Sequence, residues 1–401
     1  MARLIRLALA VTLLGGVVWV AYRAGDESLQ RVAILRGDVI VVGEERDHAL
    51  LRDEDEQWWV EDGGEAPPRP LDADVVGVPI VGRAGRLLAW TPEGLLAWED
   101  PDGPLGAPAA TTLLAPGGLS GAPRLLGTLV DGRVLLGEPW RRARRVLAVD
   151  ADGARPIETT AGEPLRLADG AGAPGGRLVV SPATAAVAVE GPDGWELWDL
   201  RATPARRHVA RGHRGAGAVF TPDGEALVVP GRVDDLWRLS LEDGSIAFMA
   251  DGNLGASRRV GFSSLFRGEP RMLFATQWGM DGYLGFVHTN LGGGGRLKFK
   301  PAFVHNYAVD GSRDERFLVY CQASFDELGD EPFDEEIYAF DFENPADSRR
   351  IDERRARPPR WPGARRGRGP CFVGDGAVVL YEARGTIYRV DLLSVPRSQR
   401  P

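Results

Sequence analysis

Leu95-Leu96-Ala97-Trp98-Glu99, Val146-Leu147-Ala148-Val149-Asp150, Trp195-Glu196-Leu197-Trp198-Asp199, Ile337-Tyr338-Ala339-Phe340-Asp341 and Ile387-Tyr388-Arg389-Val390-Asp391 are five copies of one pattern. Each holds an apolar residue, two variable positions, a large apolar residue and an acid. Weaker copies lie at 57–61, 236–240 and 283–287. The fourth positions fall at 60, 98, 149, 198, 239, 286, 340 and 390, at spacings of 38, 51, 49, 41, 47, 54 and 50. A short strand motif returning at this interval makes the chain an array of one supersecondary unit rather than two or three unrelated domains.

The stretch from His213 to Gly252 shows how a unit is built. Alternating residues at 216–221 predict a strand, which Pro222-Asp223-Gly224 turns. Further strands are predicted at 225–230, 236–241 and 245–250, with turns at 231–234 and at Glu242-Asp243-Gly244. Glycine accepts positive φ, proline presets φ, and aspartate bonds its own backbone, so these are hairpin signals with a mechanism. Val130-Asp131-Gly132, Val309-Asp310-Gly311 and Gly374-Asp375-Gly376 repeat the first turn.

Four short strands recurring about every 40–50 residues are a propeller blade. The sequence therefore predicts an all-β chain: one closed β-propeller of about eight four-stranded blades over 31–394, with seven as the alternative. An N-terminal apolar helix within 1–30 precedes it and a tail at 395–401 follows. The last unit has strands near 369–373, 377–383 and 386–392 but lacks an outermost one. Residues 31–35, just before an inner strand at 38–42, can supply it and close the ring.

Here the chain resembles the WD-repeat propellers. Gly212-His213, Phe220-Thr221-Pro222-Asp223-Gly224 and the strand ending Leu239-Ser240 follow that family's blade order, and Trp198-Asp199 is a Trp-Asp pair. The likeness runs from Trp195 to Gly252 and is degenerate elsewhere. The 220–224 segment is also similar to repeats of exported bacterial propellers of the Tol periplasmic type. The resemblance implies the fold and a tendency to bind proteins; it carries no catalytic residue. By the same analogy His213 is a structural histidine bonded within its blade.

Arg3 and Arg6 precede an apolar stretch from Leu7 to Tyr22, followed by Arg23, Asp26 and Glu27. Its length lies between a signal-peptide core and a full membrane span. Cleavage after Ala24 would place Tyr22 at −3, against the small-residue rule, and no cysteine is present for lipidation. An uncleaved signal anchor is expected, with a single inner-membrane span and an exported, periplasmic propeller. Secretion after cleavage is the alternative.

The formal net charge of −9 argues against nucleic-acid binding. Lysine occurs only at Lys298 and Lys300, so arginine carries the positive charge. Cys321 and Cys371 fall in successive units, where they form either a disulfide or two small buried hydrophobes. The five histidines have no metal spacing, and no nucleophile elbow or phosphate loop is present. No cofactor is predicted. Calcium is the one cation to weigh, at the acidic insertion 326–336 containing Asp326 and Asp330, although ordered EF-hand spacing is missing.

The candidate interaction surface comprises that insertion, Trp278 in an inter-strand loop, and the basic segment Arg354 to Arg368 with Arg360, Trp361, Arg365 and Arg366. Prolines in the basic segment limit the entropy lost on docking to an acidic partner or surface. Trp58 and Trp59 are expected to pack between blades. Two functions follow: a non-catalytic platform for an envelope protein partner, or an enzyme or receptor for glycans or peptides with a polar site in the central funnel. Converging acids beside a histidine would favour the second; small or scattered polar groups along the channel would favour the first.

Overall fold

A computed structural model describes residues 31–393, apart from 43–46, 104, 107–108, 118, 120–122, 141–142, 169–177, 192, 214–217, 222, 231–235, 251–259, 266–270, 277–280, 289–293, 303, 313–315, 326–331, 342–347, 355–369 and 375–376. Apart from one 3₁₀ turn at Arg83–Gly85, the described elements are all strands. We letter the sheets in chain order. Sheet A uses the second half of Arg31–Val42 with Ala49–Asp53, Trp58–Glu61 and Arg69–Pro70. Sheet B is Ile80–Val81, Leu87–Thr91, Gly94–Trp98 and Thr111–Leu114. Sheet C is Arg124–Thr128, Val134–Trp140, Ala143–Asp150 and Gly153–Pro156, with Arg166–Ala168 as an added strand.

Sheet D is Leu178–Val180, Ala186–Glu190, Gly194–Asp199 and Arg206–Arg211, and sheet E is Val219–Phe220, Ala226–Pro230, Leu236–Ser240 and Ile246–Ala250. Sheet F is Val260–Leu265, Arg271–Thr276, Asp281–His288 and Gly294–Ala302, and sheet G is Val304–Gly311, Phe317–Phe325, Pro332–Asp341 and Ser348–Arg354. Sheet H is Cys371–Val373, Val378–Ala383 and Thr386–Asp391. Within each sheet the strands pair antiparallel in sequence order. The four strands expected between 216 and 250 are those of sheet E.

Every copy of the sequence motif lies in the third strand of its sheet. The spacing explains why. Side chains alternate along a strand, so the first and fourth positions project from opposite faces. Both are buried: Leu95 and Trp98, Val146 and Val149, Trp195 and Trp198, Ile387 and Val390. Trp198 packs with Leu135, Val146 and Val187 between sheets C and D. Trp195, three residues earlier, packs with Phe220, Leu227 and Leu239 between sheets D and E. Trp98 faces sheet A, with Leu50 and Val60, while Leu95 faces sheet C, with Leu136 and Leu147. A sheet buried on both faces against its predecessor and its successor is a blade in a radial stack.

The ends of the chain meet in the seven-stranded sheet that fuses A and H. Arg31–Val42 is one continuous strand rather than the two expected from sequence. Its first half pairs with the last strand, Arg31 opposite Val390 and Arg36 opposite Thr386. Its second half pairs with Ala49–Asp53, and the register shifts between Gly37 and Val39. The crossing needs glycine: a Cβ on Gly37 would sit 2.0 Å from the Arg52 carbonyl oxygen.

Candidate interaction surface

The connections divide between two rims. Links from first to second strand, and from third to fourth, meet at one rim. His48 of sheet A lies 3.3 Å from Asp102 of sheet B, and Arg69 donates to the Asp102 and Gly103 carbonyls. Arg133 of sheet C donates to Leu200 O of sheet D at 3.0 Å. Thr184 of sheet D donates to Gly224 O of sheet E at 2.9 Å, and Arg201 lies 3.6 Å from Glu225. Arg83 of sheet B passes over sheet C, its backbone N–H donating to Thr128 Oγ1, and its guanidinium reaches the Ser181 and Pro182 carbonyls of sheet D.

The acid at the fifth motif position belongs to this rim, and its role was not legible in the pattern. Asp150, Asp199 and Asp391 each accept the backbone N–H two residues on, at 2.9, 3.0 and 2.8 Å, fastening the turn after the third strand. Asp199 also holds Arg201 through two guanidinium bonds. Burial raises its pKa, but the Arg201 guanidinium and backbone N–H outweigh it, so the carboxyl lies below the ordinary range. Asp131, held by Arg133, follows the same balance.

Glu61 is the opposite case. It is 1 % exposed, and burial pushes its pKa up despite Arg389 at 3.2 Å. Arg389 comes from sheet H and also donates to the Gly64, Glu65 and Ala66 carbonyls, so it clasps sheet H to sheet A.

The second-to-third and fourth-to-first connections meet at the other rim. Gly37 N–H donates to Gly385 O, Glu54 N–H to Arg36 O, and Gly212 N–H to Asp193 O. The strands flanking the predicted surface residues belong to this rim by connectivity. Position 278 falls between the second and third strands of sheet F, 326 and 330 between those of sheet G, and 360–366 between sheets G and H. Trp278, Asp326, Asp330, Arg360, Trp361, Arg365 and Arg366 themselves lie outside the described residues, as do the N-terminal helix of 1–30 and the tail at 395–401.

First strands of successive sheets neighbour one another from H through A, B, C and D to E, and from F through G to H. Their half-buried side chains are mostly apolar: Ile80, Leu126, Leu178, Val180 and Val219. Among the described residues no three His, Cys, Asp or Glu side chains converge as metal ligands. No described helix is long and apolar enough to cross a membrane.

Other expectations fare variously. Trp58 is buried between sheets A and B, and Trp59 packs on the A–H core while its Nε1 donates to Asp53. Cys321 and Cys371 are not joined in a disulfide. The His213 ring packs edge-on to Trp237 of sheet E at 5.3 Å, and among the described residues its Nδ1 has no hydrogen-bond partner. This ring contact lies within the unit that runs from His213 to Gly252.

No protein-family model matches the sequence, and no curated protein matches it. Solved structures do match. The WD40 domain of SCAP from fission yeast superposes with a TM-score of 0.51 at 10% identity, covering 91% of this chain and 98% of that one. The β-propeller domain of Cps50 (Swd1) from Myceliophteria thermophila gives 0.48 at 10% identity, covering 90% and 98%. The dihydro-heme d1 dehydrogenase NirN gives 0.46 at 16% identity, covering 87% and 72%. The stacked sheets and the first of these likenesses define the fold as a β-propeller, similar to that of a WD40 domain.

Proposed function

We propose that this chain is a non-catalytic protein-interaction platform of the bacterial cell envelope, an exported propeller held to the inner membrane by residues 1–30. In this reading 31–394 form one closed ring of eight blades, sheets A to H, with 31–36 as the outer strand of the last. One observation carries the functional part. Asp199 and Glu61 of the first rim are held within the molecule, Asp199 on a turn N–H group and Arg201, Glu61 on Arg389. We take the long charged connections at 326–331 and 355–369 to extend from the other rim, toward which their flanking strands run. Charged loops extended from one rim of a rigid stack of sheets would have the layout of a binding surface.

In-cell crosslinking of a C-terminally tagged copy, followed by membrane purification and mass spectrometry, tests this. A dominant, near-stoichiometric envelope protein is the expected result. Recovery of the propeller alone would redirect the search to small ligands of the funnel, and recovery from the soluble cytoplasmic fraction would overturn the export reading.

A further inference from the structure

Residues 71–79 connect the outer strand of sheet A to the first strand of sheet B, and the connection is split between two faces. Leu71 is buried, and Ala73 and Val75 pack half-buried on the core between the two sheets. The residues between and after them turn outward. Asp72 and Asp74 are exposed, and Val76 and Val78 are 41% and 48% exposed. Leu71 N–H donates to Trp58 O at 2.8 Å, next to the exposed turn 54–57 of sheet A. Val76 N–H donates to Trp90 O at 2.7 Å, beside exposed Pro92 and Glu93 of sheet B. Nothing packs over the middle of the strip: a Cβ on Gly77 would meet no atom within 4 Å beyond its chain neighbours. Among the described residues the N–H groups of Asp74, Gly77 and Val78 have no partner.

We infer that this strip docks an extended polypeptide segment in which arginine or lysine alternates with apolar side chains. The proposal deepens the platform reading and rests on it, since it names one surface and the chemistry of what binds there. Charge selects the occupant. The segments 54–57, 71–80 and 90–94 hold six acids and no lysine or arginine. Asp131 and Asp199 at the first rim are held by arginines; the carboxylates of Asp72, Asp74 and Glu93 bond no described residue. A cationic side chain therefore meets carboxylates that no bond already occupies. Its apolar neighbours cover Val76 and Val78, and its main chain can accept from the unpaired N–H groups. Nucleic acids and anionic membranes carry the same sign as the strip, and the formal charge of −9 adds to their repulsion.

The test is fluorescence anisotropy on the full chain, with a short dye-labelled peptide of alternating arginine and leucine as the probe. Wild type should bind, with affinity falling as salt rises. Asp72→Asn/Asp74→Asn should weaken binding by about fivefold or more, and Val76→Ser/Val78→Ser by about tenfold. Asp152→Asn/Glu242→Gln removes two exposed carboxylates from the first rim and should leave binding unchanged. All these side chains are exposed, so thermal melts of the variants should match wild type. The proposal is overturned if wild type fails to bind, if either strip variant binds like wild type, or if the first-rim pair weakens binding equally. It also falls if a peptide with glutamate in place of arginine binds as well. Self-association that is lost in Asp72→Asn/Asp74→Asn, without peptide binding, would make a second copy the occupant and overturn the proposal too. Loss of the envelope assignment in the crosslinking experiment would leave these binding results standing, so the two readings fail separately.

Discussion

At the scale of single residues, the three-residue spacing between large apolar positions is the decisive quantity. Trp198 is fully buried, its Nε1 donates to Glu196, and Arg207 lies over its ring at 5.7 Å. Trp198→Ala should cost about 3–5 kcal/mol in denaturant unfolding, the range for truncating a core aromatic. A loss under 1 kcal/mol would mean that sheets C and D do not pack through this ring. The fifth-position acid has a different signature. Because the folded pKa of Asp199 lies below its ordinary 3.8, its stabilisation is present above that value and is lost as pH falls through the folded one. Asp199→Asn should therefore flatten the stability profile below about pH 4 and leave its shape at neutral pH unchanged, as followed by unfolding across that range. Periodicity marked these positions, but the turn bond depends on backbone geometry and the arginine partner on a turn conformation, neither of which a strand pattern encodes.

At the scale of elements, the Arg31–Val42 strand and the Arg389 clasp join distant parts of the chain. Arg389→Met would strand the buried Glu61 carboxylate and free three carbonyls, a change expected to cost about 3–5 kcal/mol. Glu61→Gln should cost much less at neutral pH, because it removes the buried charge together with the ion pair. It should also change the pH dependence. With its folded pKa above the ordinary 4.5, Glu61 binds more proton folded than unfolded, so stability falls as pH rises from 4.5 through the folded value. The variant should lack that slope, and a wild-type profile rising with pH over the same window would contradict the assignment. The missing outer strand of the last unit was legible, because strand counting exposes a gap and 31–35 has the residues to fill it. The fusion of that strand with the next was not, since Gly37 shows its need for a side-chain-free crossing only once Arg52 O is in place. The clasp was hidden too: Glu61 and Arg389 stand 328 positions apart and neither carries a local signal.

At the scale of the whole molecule, the proposed ring rests on the pairing of the two ends of the strand array. If the two ends of the chain were separate, the stack would present two exposed sheet edges and a rim whose parts move independently. With the ends paired, sheets A and H share one seven-stranded sheet, the frame that the proposed platform would require. The strands that flank the predicted surface segments follow in the order that the motif period made readable. The side-chain chemistry of those segments is a matter of loops, where periodicity has no hold. The measurement that tests ring closure most directly is a disulfide trap across the closing pair, Arg36→Cys with Thr386→Cys, oxidised in the folded protein and located by peptide mass mapping. A closed ring predicts rapid formation of the 36–386 crosslink under native conditions and a raised melting temperature. Free thiols at both positions in the folded protein, with crosslinking only after denaturation, would contradict it.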